Sequence, residues 1–213
     1  MNISALLEVT FVFTAVECII WFLSGMGALP WIAGIVVFCF VLKSWHMHGD
    51  TLENLGLAPN NFYKDSIVIT LISLIFLLIV FMIALFWNPE FLNQENLSVK
   101  IFVHFNLYYF WALFQNLCLN GYFVNRLNVA TGSSTITSLF SGILFSVIHW
   151  PNPVLLIATL AGGIMSAYFF QRNKNLYFIS AAHAIIAVSL LYFFPDSWHN
   201  HLTIGPGFYT WKP

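Results

Sequence analysis

Long apolar stretches alternate with short polar interruptions along the whole chain. A membrane-spanning helix needs about 20 predominantly apolar residues, and seven stretches come near that length. Because a chain in lipid must satisfy its backbone hydrogen bonds internally, these stretches are expected to be helical. The pattern predicts an all-α, polytopic transmembrane bundle of about seven spanning helices. They lie near residues 4–24, 27–43, 66–87, 101–125, 133–150, 153–171 and 176–194.

The interruptions carry residues that are typical of loops. Asn88-Pro89 and Pro151-Asn152-Pro153 are examples, since proline and asparagine end helices and initiate turns. Two longer polar segments, residues 44–65 and 195–213, are predicted to lie outside the spans. We therefore expect a single integral membrane domain over residues 1–213.

The composition supports a membrane protein and excludes a nucleic-acid role. Hydrophobic residues make up 60% of the 213 positions and charged residues 7%. A soluble domain of this length cannot bury so much apolar surface, so membrane lipids are the expected surroundings. With a formal net charge of −1, the chain has no basic field that would hold a phosphate backbone.

The distribution of Lys and Arg predicts the orientation. Basic residues are enriched in cytoplasmic loops, and most of those in this chain fall on one face of the predicted bundle. That face would be cytoplasmic, which places the N-terminus inside and the tail outside. The first face carries Lys43, Lys64, Arg126, Arg172 and Lys174, and the second carries Lys100 and Lys212.

Polar side chains are concentrated in the fourth apolar stretch. Gln115, Asn116 and Asn120 lie near its middle. Asn116 and Asn120 are four residues apart and share one helix face, while Gln115 points about 100° around the helix from Asn116. Polar groups in lipid are costly unless they have a partner or a function. This wedge is therefore predicted to face other helices.

Two histidines extend the polar set to two further stretches. His149 follows Phe145 by one helical turn at the end of the fifth stretch, and His183 lies within the seventh. A lone intramembrane histidine is commonly a hydrogen-bonded packing residue, but polar groups on three helices favour a shared site. Hydropathy places His149 nearer a helix end than His183, so their convergence requires a tilted or longer fifth helix.

The spacing of these residues resembles three motifs of the CPBP family (CAAX protease and bacteriocin-processing, also called Abi) of intramembrane peptidases. The family pattern is E-E-x-x-x-R, then F-x-x-x-H, then H-x-x-x-N on three helices. F-x-x-x-H is complete as Phe145 to His149, and the third motif keeps His183 but has Ala187 at its asparagine position. The resemblance covers a core of about residues 100–190.

The first motif departs from the family pattern. Gln115 and Asn116 occupy the two glutamate positions, and Asn120 occupies the arginine position. In the family, a glutamate and the histidines activate water for peptide cleavage in the membrane. An amide is essentially non-basic, so the resemblance implies a changed mechanism in this chain.

The resemblance implies a bacterial inner-membrane peptidase that hydrolyses a membrane-tethered peptide or C-terminal segment. His149 is then the surviving base, His183 is a partner for water, and both histidines are candidate ligands for a divalent metal such as zinc. The amides of Gln115, Asn116 and Asn120 would donate to an oxyanion. These five residues are predicted to line one central cavity.

A non-catalytic descendant is the alternative to a peptidase. In that case the amides complete a neutral hydrogen-bond network, and the cavity holds transmembrane segments as a scaffold or chaperone would.

Two further residues are weaker candidates for chemistry. Glu17, within the first stretch, would supply a carboxylate base if its helix packed beside the fourth. Cys118 lies three residues from Gln115 and would be a thiol nucleophile if a histidine reached it. A structural role is the simpler interpretation of both.

Histidine pairs also occur in the two polar segments. His46-x-His48 and His199-x-His201 offer imidazoles, but no H-E-x-x-H zinc-protease motif accompanies them. They are interpreted as interfacial or solvated histidines.

Overall fold

Helices form almost all of the computed structural model, which describes residues 2–210. No strand occurs within that range, so the all-α prediction is confirmed. Lys212, used in the orientation prediction, lies outside the described residues. The α-helices are α1 (Ile3–Cys18), α2 (Leu29–His48), α3 (Ser66–Trp87), α4 (Leu97–Asn116), α5 (Asn125–Thr131), α6 (Ser134–Ile148), α7 (Pro153–Asn173), α8 (Leu176–Phe193), α9 (Asp196–His199) and α10 (Gly207–Thr210).

Six helical segments of the described chain are long and apolar enough to cross a membrane. The protein is therefore an integral membrane protein. Two of the segments continue beyond a regular α-helix, because α1 runs on as a π-helix and α4 runs through a π-helix into α5. The spans are Ile3–Leu23, Leu29–His48, Ser66–Trp87, Leu97–Thr131, Pro153–Asn173 and Leu176–Phe193.

The fifth predicted span, residues 133–150, is the shorter helix α6, so the expected longer fifth helix is not observed. It contains 15 residues, which corresponds to about 22 Å against a hydrocarbon core of about 30 Å. The helix stops at Ile148 because Pro151 and Pro153 follow within a turn and cannot continue it. A helix of this length that starts at one membrane face ends inside the core. His149, which follows the helix, lies close to His183 of α8, because the Phe145 ring contacts both imidazoles.

Helices α6 and α7 pack closely through glycine. A Cβ atom on Gly163 would lie 2.8 Å from the Cα atom of Gly142, and one on Gly142 would lie 2.8 Å from the carbonyl oxygen of Leu160. Small residues at helical spacing allow such an approach in membranes. Helix α8 packs against α3, α4 and α7, so it stands at the centre of the bundle.

The segment between α2 and α3 differs in part from its prediction as a loop. Helix α2 continues to His48, beyond the predicted end at residue 43, and Gly49 ends it with a left-handed φ of 68°. A nonhelical stretch with one short 3₁₀ turn, Pro59–Asn61, follows. It is fastened to the start of α8, because Asn175 Nδ2 donates to the carbonyl oxygens of Phe62 at 3.0 Å and Lys64 at 2.7 Å.

A buried ionic cluster joins α1, α2 and α5 near the same end of the bundle. The Arg126 side chain is only 2% exposed and lies 3.3 Å from Glu8 and 2.5 Å from Asp50. Its Nε also donates to the Ser44 hydroxyl at 3.1 Å. The two carboxylates and the hydroxyl compensate the buried guanidinium, which would be costly without partners.

Candidate functional site

A cavity of about 480 Å³ lies among α3, α4, α6, α7, α8 and the segment after α8. Aliphatic and aromatic side chains form most of its wall. Four of the five residues predicted to line one cavity do so, and Asn120 does not. The polar lining residues include Ser73, Gln115, Asn116, His149, Thr159, Ser166, His183 and His201.

Asn120 lies directly behind the cavity wall. It is fully buried in the π-helical continuation of α4, and its Nδ2 donates to Asn116 Oδ1 at 3.0 Å. Because these residues are four apart, the side chains meet on one helix face, as the spacing predicts. Asn120 can therefore act on the cavity only through Asn116.

The imidazole of His149 is held by the end of its own helix. His149 is 7% exposed, and its Nδ1 lies 2.6 Å from the carbonyl oxygen of Phe145. A carbonyl oxygen can only accept, so Nδ1 carries the proton of the neutral ring. The other nitrogen, Nε2, then has a free lone pair.

The imidazole of His183 has the opposite arrangement. Its Nδ1 lies 3.1 Å from Asn116 Nδ2. The amide orientation follows from its other bonds, since Asn116 Nδ2 also donates to the carbonyl oxygen of Ala112 at 2.8 Å and Oδ1 accepts from Asn120. His183 Nδ1 is therefore the acceptor, and Nε2 carries the proton of the neutral ring.

One phenyl ring links the two histidines. The Phe145 ring centroid lies 4.8 Å from that of His149 and 5.6 Å from that of His183, both edge to face. This contact fixes both imidazoles against the same side chain of α6. Two rings with opposite tautomers thus border one cavity, one offering a lone pair and the other an N–H group.

Gln115 has an unsatisfied oxygen beside the cavity. Its Oε1 is buried and has no hydrogen-bond partner among the described residues, and the same holds for Asn120 Oδ1. Buried polar atoms are almost always paired in folded proteins. The unpaired oxygen of Gln115 marks a position where a ligand or water would add a hydrogen bond.

One known protein family matches the part of the chain that contains the two imidazoles and the amides. Residues 105–189 match the family described as type II CAAX prenyl endopeptidase Rce1-like. These residues form a CAAX protease family domain. The resemblance to the CPBP peptidases is thereby confirmed. No curated protein and no solved structure matches the chain.

The CAAX protease domain contains all five predicted site residues. It runs from within α4 to within α8 and so covers the helices that carry the two imidazoles and the amide wedge. A membrane protease family implies, in general terms, a membrane protein as substrate. Ala187, at the asparagine position of the third motif, also lines the cavity.

The weaker candidates lie away from this cavity. Neither Glu17 nor Cys118 is among its lining residues. Glu17 Oε1 is buried without a partner in the described structure, and Cys118 is a partly buried free thiol in the π-helical segment. Of the pair His46-x-His48, the His48 side chain lies 3.9 Å from the Glu8 carboxylate, near the buried ionic cluster.

The two predicted metal ligands are fewer than the ligands of a usual protein zinc site. Within residues 2–210, no group of three or more His, Cys, Asp or Glu side chains is arranged to hold a metal ion. Protein zinc sites have three or four such ligands, whereas His149 and His183 would supply two. Metal binding at these histidines stays a prediction.

The pattern of apolar stretches missed the contribution of the C-terminal segment. His201, Leu202 and Ile204 line the cavity, although they follow the last span. Only the histidine pair His199-x-His201 marked this segment in the sequence, and such a pair has no fixed relation to a cavity.

Proposed function

We propose that this protein is an intramembrane peptidase that hydrolyses a membrane-tethered peptide or C-terminal segment in the cavity. The observation that carries the proposal is the pairing of opposite histidine tautomers at one cavity within a CAAX protease family domain. Peptide hydrolysis needs a lone pair to activate water and a donor to stabilise the oxyanion. The two imidazoles offer one of each.

In this mechanism His149 Nε2 accepts a proton from water while the water oxygen attacks the scissile carbonyl carbon. His183 Nε2–H then donates to the developing oxyanion. Asn116 maintains the tautomer of His183, and Asn120 maintains the orientation of Asn116. Gln115 lies at the cavity wall and positions the substrate through its amide. None of these steps requires a metal ion.

The apolar wall favours a lipid-linked or transmembrane substrate. A volume of about 480 Å³ lies in the usual range of about 300–1,000 Å³ for binding sites. Apart from its few polar groups, the lining offers aliphatic and aromatic contacts, which suit an acyl-like chain or apolar side chains.

The replacement of carboxylates by amides predicts slow turnover. General acid–base assistance typically contributes about 10²–10⁴-fold, and a buried imidazole without a carboxylate partner supplies only part of it. We therefore expect cleavage to be slower than a carboxylate-based site would give.

A second function, a scaffold that holds transmembrane segments without cutting them, is favoured by one observation. The amides of Asn116 and Asn120 and the His183 imidazole form a neutral chain of hydrogen bonds, which stabilises helix packing without any reaction. Such a protein would bind the same substrates in the same cavity.

Peptide turnover by purified protein in lipid nanodiscs separates the two functions. The probe is a set of fluorogenic peptides with a prenylated cysteine near a free C-terminus, compared between wild type and His149→Ala. The matched control is His46→Ala, since His46 is exposed and lies outside the cavity.

We expect His149→Ala to lower turnover by about 10²-fold or more and His46→Ala to leave it unchanged. Equal turnover by wild type and His149→Ala would remove the catalytic role of this histidine. Binding without cleavage by the wild type would favour the scaffold.

A further inference from the structure

The segment that follows α8, which we call the strap (residues 196–205), borders the cavity that contains the two imidazoles. It contributes His201, Leu202 and Ile204 to the lining. The strap lies outside the CAAX protease family domain, which matches residues 105–189.

Hydrogen bonds hold the strap against the turn that follows His149. Asn152 Nδ2 donates to the carbonyl oxygens of His199 at 2.7 Å and Thr203 at 3.1 Å. The backbone N–H of Gly205 donates to the carbonyl oxygen of Trp150 at 2.9 Å. The two carbonyls bound by Asn152 lie on either side of His201 in the sequence, so this side chain fixes the part of the strap that bears the histidine.

The backbone at this point is strained. Asn200, His201 and Leu202 have φ angles of 43°, 52° and 57°, all in the left-handed region. The left-handed conformation costs roughly 1–2 kcal/mol per non-glycine residue and is normally adopted by single residues. Such strain persists where the surroundings enforce it, and it is concentrated at functional sites. In the strap, the strained residues include two that line the cavity.

A carboxylate lies near the His201 ring. His201 Nδ1 lies 3.6 Å from Asp196 Oδ1, which leaves Nε2 on the opposite edge of the ring. His199 also lies near Asp196, at 3.9 Å, but its side chain is fully buried and it is absent from the cavity lining. The His201 side chain, in contrast, is 58% exposed. Among the strap residues, His201 is the imidazole that both water and a bound substrate would reach.

We propose that His201 is a further catalytic residue of this cavity, the general acid that protonates the leaving amine, and that Asp196 is its positioning residue. This inference rests on the proposed peptidase function, which otherwise contains a base and an oxyanion donor but no separate donor for the leaving nitrogen. An amine leaves a tetrahedral intermediate poorly unless it is protonated.

The step balances in atoms and electrons. Water adds its oxygen to the scissile carbonyl carbon, and its proton goes to His149 Nε2. His201 enters the step as the imidazolium, with Nδ1–H toward Asp196 and a second proton on Nε2. The C–N bond then breaks, its electron pair goes to nitrogen, and the Nε2 proton transfers to that nitrogen, which leaves His201 neutral. The carbonyl re-forms as a carboxylic acid. Water in the cavity then takes the proton from His149 and returns one to His201, which restores the neutral His149 and the protonated His201.

The test compares an amide with an ester at the scissile bond of otherwise identical lipid-anchored peptides. An alkoxide leaves with less need for protonation than an amine does, so loss of a general acid affects the amide selectively. The variants are His201→Asn and Asp196→Asn, because asparagine tolerates the left-handed backbone of position 201. His46→Asn, away from the cavity, is the matched control.

We expect His201→Asn to lower amide turnover by about 10²-fold while ester turnover hardly changes, and Asp196→Asn to show the same selectivity with a smaller loss. Equal losses on both bonds, or no loss on the amide, would overturn the assignment and point to His149 as the donor. If His201→Asn does not fold, the selectivity of Asp196→Asn decides. A wild type that cuts neither bond would instead refute the peptidase function itself.

Discussion

At the scale of single residues, Asn116 sets the tautomer of the neutral His183 ring. Its Nδ2 donates one hydrogen bond to the Ala112 carbonyl oxygen and one to His183 Nδ1. This arrangement leaves the proton of the neutral His183 ring on Nε2. The buried Asn116 amide, at 2% exposure, thus selects the tautomer of an imidazole on another helix.

Replacing Asn116 by leucine tests this role. Asn116→Leu keeps the approximate size of the side chain but leaves His183 Nδ1 without a donor, so the tautomer is no longer held. We expect turnover to fall by about 10²-fold, the usual cost of disabling an oxyanion donor, with little change in KM.

The ¹⁵N chemical shifts of the His183 ring nitrogens report the tautomer directly. The wild type should show a protonated Nε2, and Asn116→Leu should show a mixture of tautomers. If the two spectra agree while turnover falls, Asn116 does not act through the tautomer of His183.

At the scale of helices, the contact between α6 and α7 positions the two aromatic groups of the F-x-x-x-H motif. A Cβ atom on Gly163 would lie 2.8 Å from the Gly142 Cα and 3.3 Å from the Phe145 side chain. Phe145 in turn supports both imidazoles. Close packing of the two backbones therefore affects the positions of the two imidazoles.

The neighbouring glycine provides a matched control for this contact. Gly163→Ala forces the helices apart and should destabilise the protein by about 1–3 kcal/mol, and turnover should fall because Phe145 moves. Gly162→Ala should leave the melting temperature unchanged, since nothing lies within 4 Å of a Cβ atom there. Thermal unfolding in detergent measures the effect, and equal melting temperatures would contradict the packing role of Gly163.

The connection between α7 and α8 is predicted to be pH-sensitive. Burial lowers the pKa of Lys174 from 10.5 to about 8, although the nearby Asp50 carboxylate opposes the shift. Lys174 Nζ donates to Asn125 at 2.7 Å and lies 4.3 Å from the centre of the Phe170 ring.

Between about pH 8 and pH 10.5 the unfolded chain holds the Lys174 proton and the folded chain does not, so the free energy of unfolding rises with pH. Below that window Lys174 is charged in both states. We expect the wild type to gain stability relative to Lys174→Met as the pH rises through it. Melting curves of both proteins at pH 8 and pH 10 check this, and a constant difference would contradict the lowered pKa.

At the scale of the whole molecule, the bundle separates two polar ends. The buried cluster around Arg126 and the stretch before α3 lie at one end, and the 3₁₀ turn after α3, Pro89–Asn93, lies at the other. The positive-inside rule predicts that the end with Arg126 is cytoplasmic. The strap, which follows α8, is then on the opposite side.

Accessibility of single cysteines tests this orientation. Asn60→Cys and Asn93→Cys place thiols at exposed positions before and after α3. A membrane-impermeant maleimide should label position 93 in right-side-out vesicles and position 60 only in inverted ones. The reverse pattern would invert the predicted topology. The native cysteines, which lie in spans, are removed in both variants.

The sequence by itself determined the class of fold, the family and the residue types of the site. Apolar length and low charge require lipid as the surroundings, and helical spacing places Asn116 with Asn120 and Phe145 with His149, because these depend only on local geometry. The prolines that follow α6 also allowed its C-terminal end to be predicted from the sequence. The proximity of His149 to His183 could not be predicted from it.

Only the tertiary structure decided which of these groups meet. Asn116 contacts His183, which lies 67 positions away in the sequence. Asn120 lies behind the cavity wall, and neither Glu17 nor Cys118 lines the cavity. The strap brings His201 to the same cavity through bonds made by Asn152. Such pairings depend on how helices rotate and cross, which is set by many packing contacts together and leaves no local period in the chain.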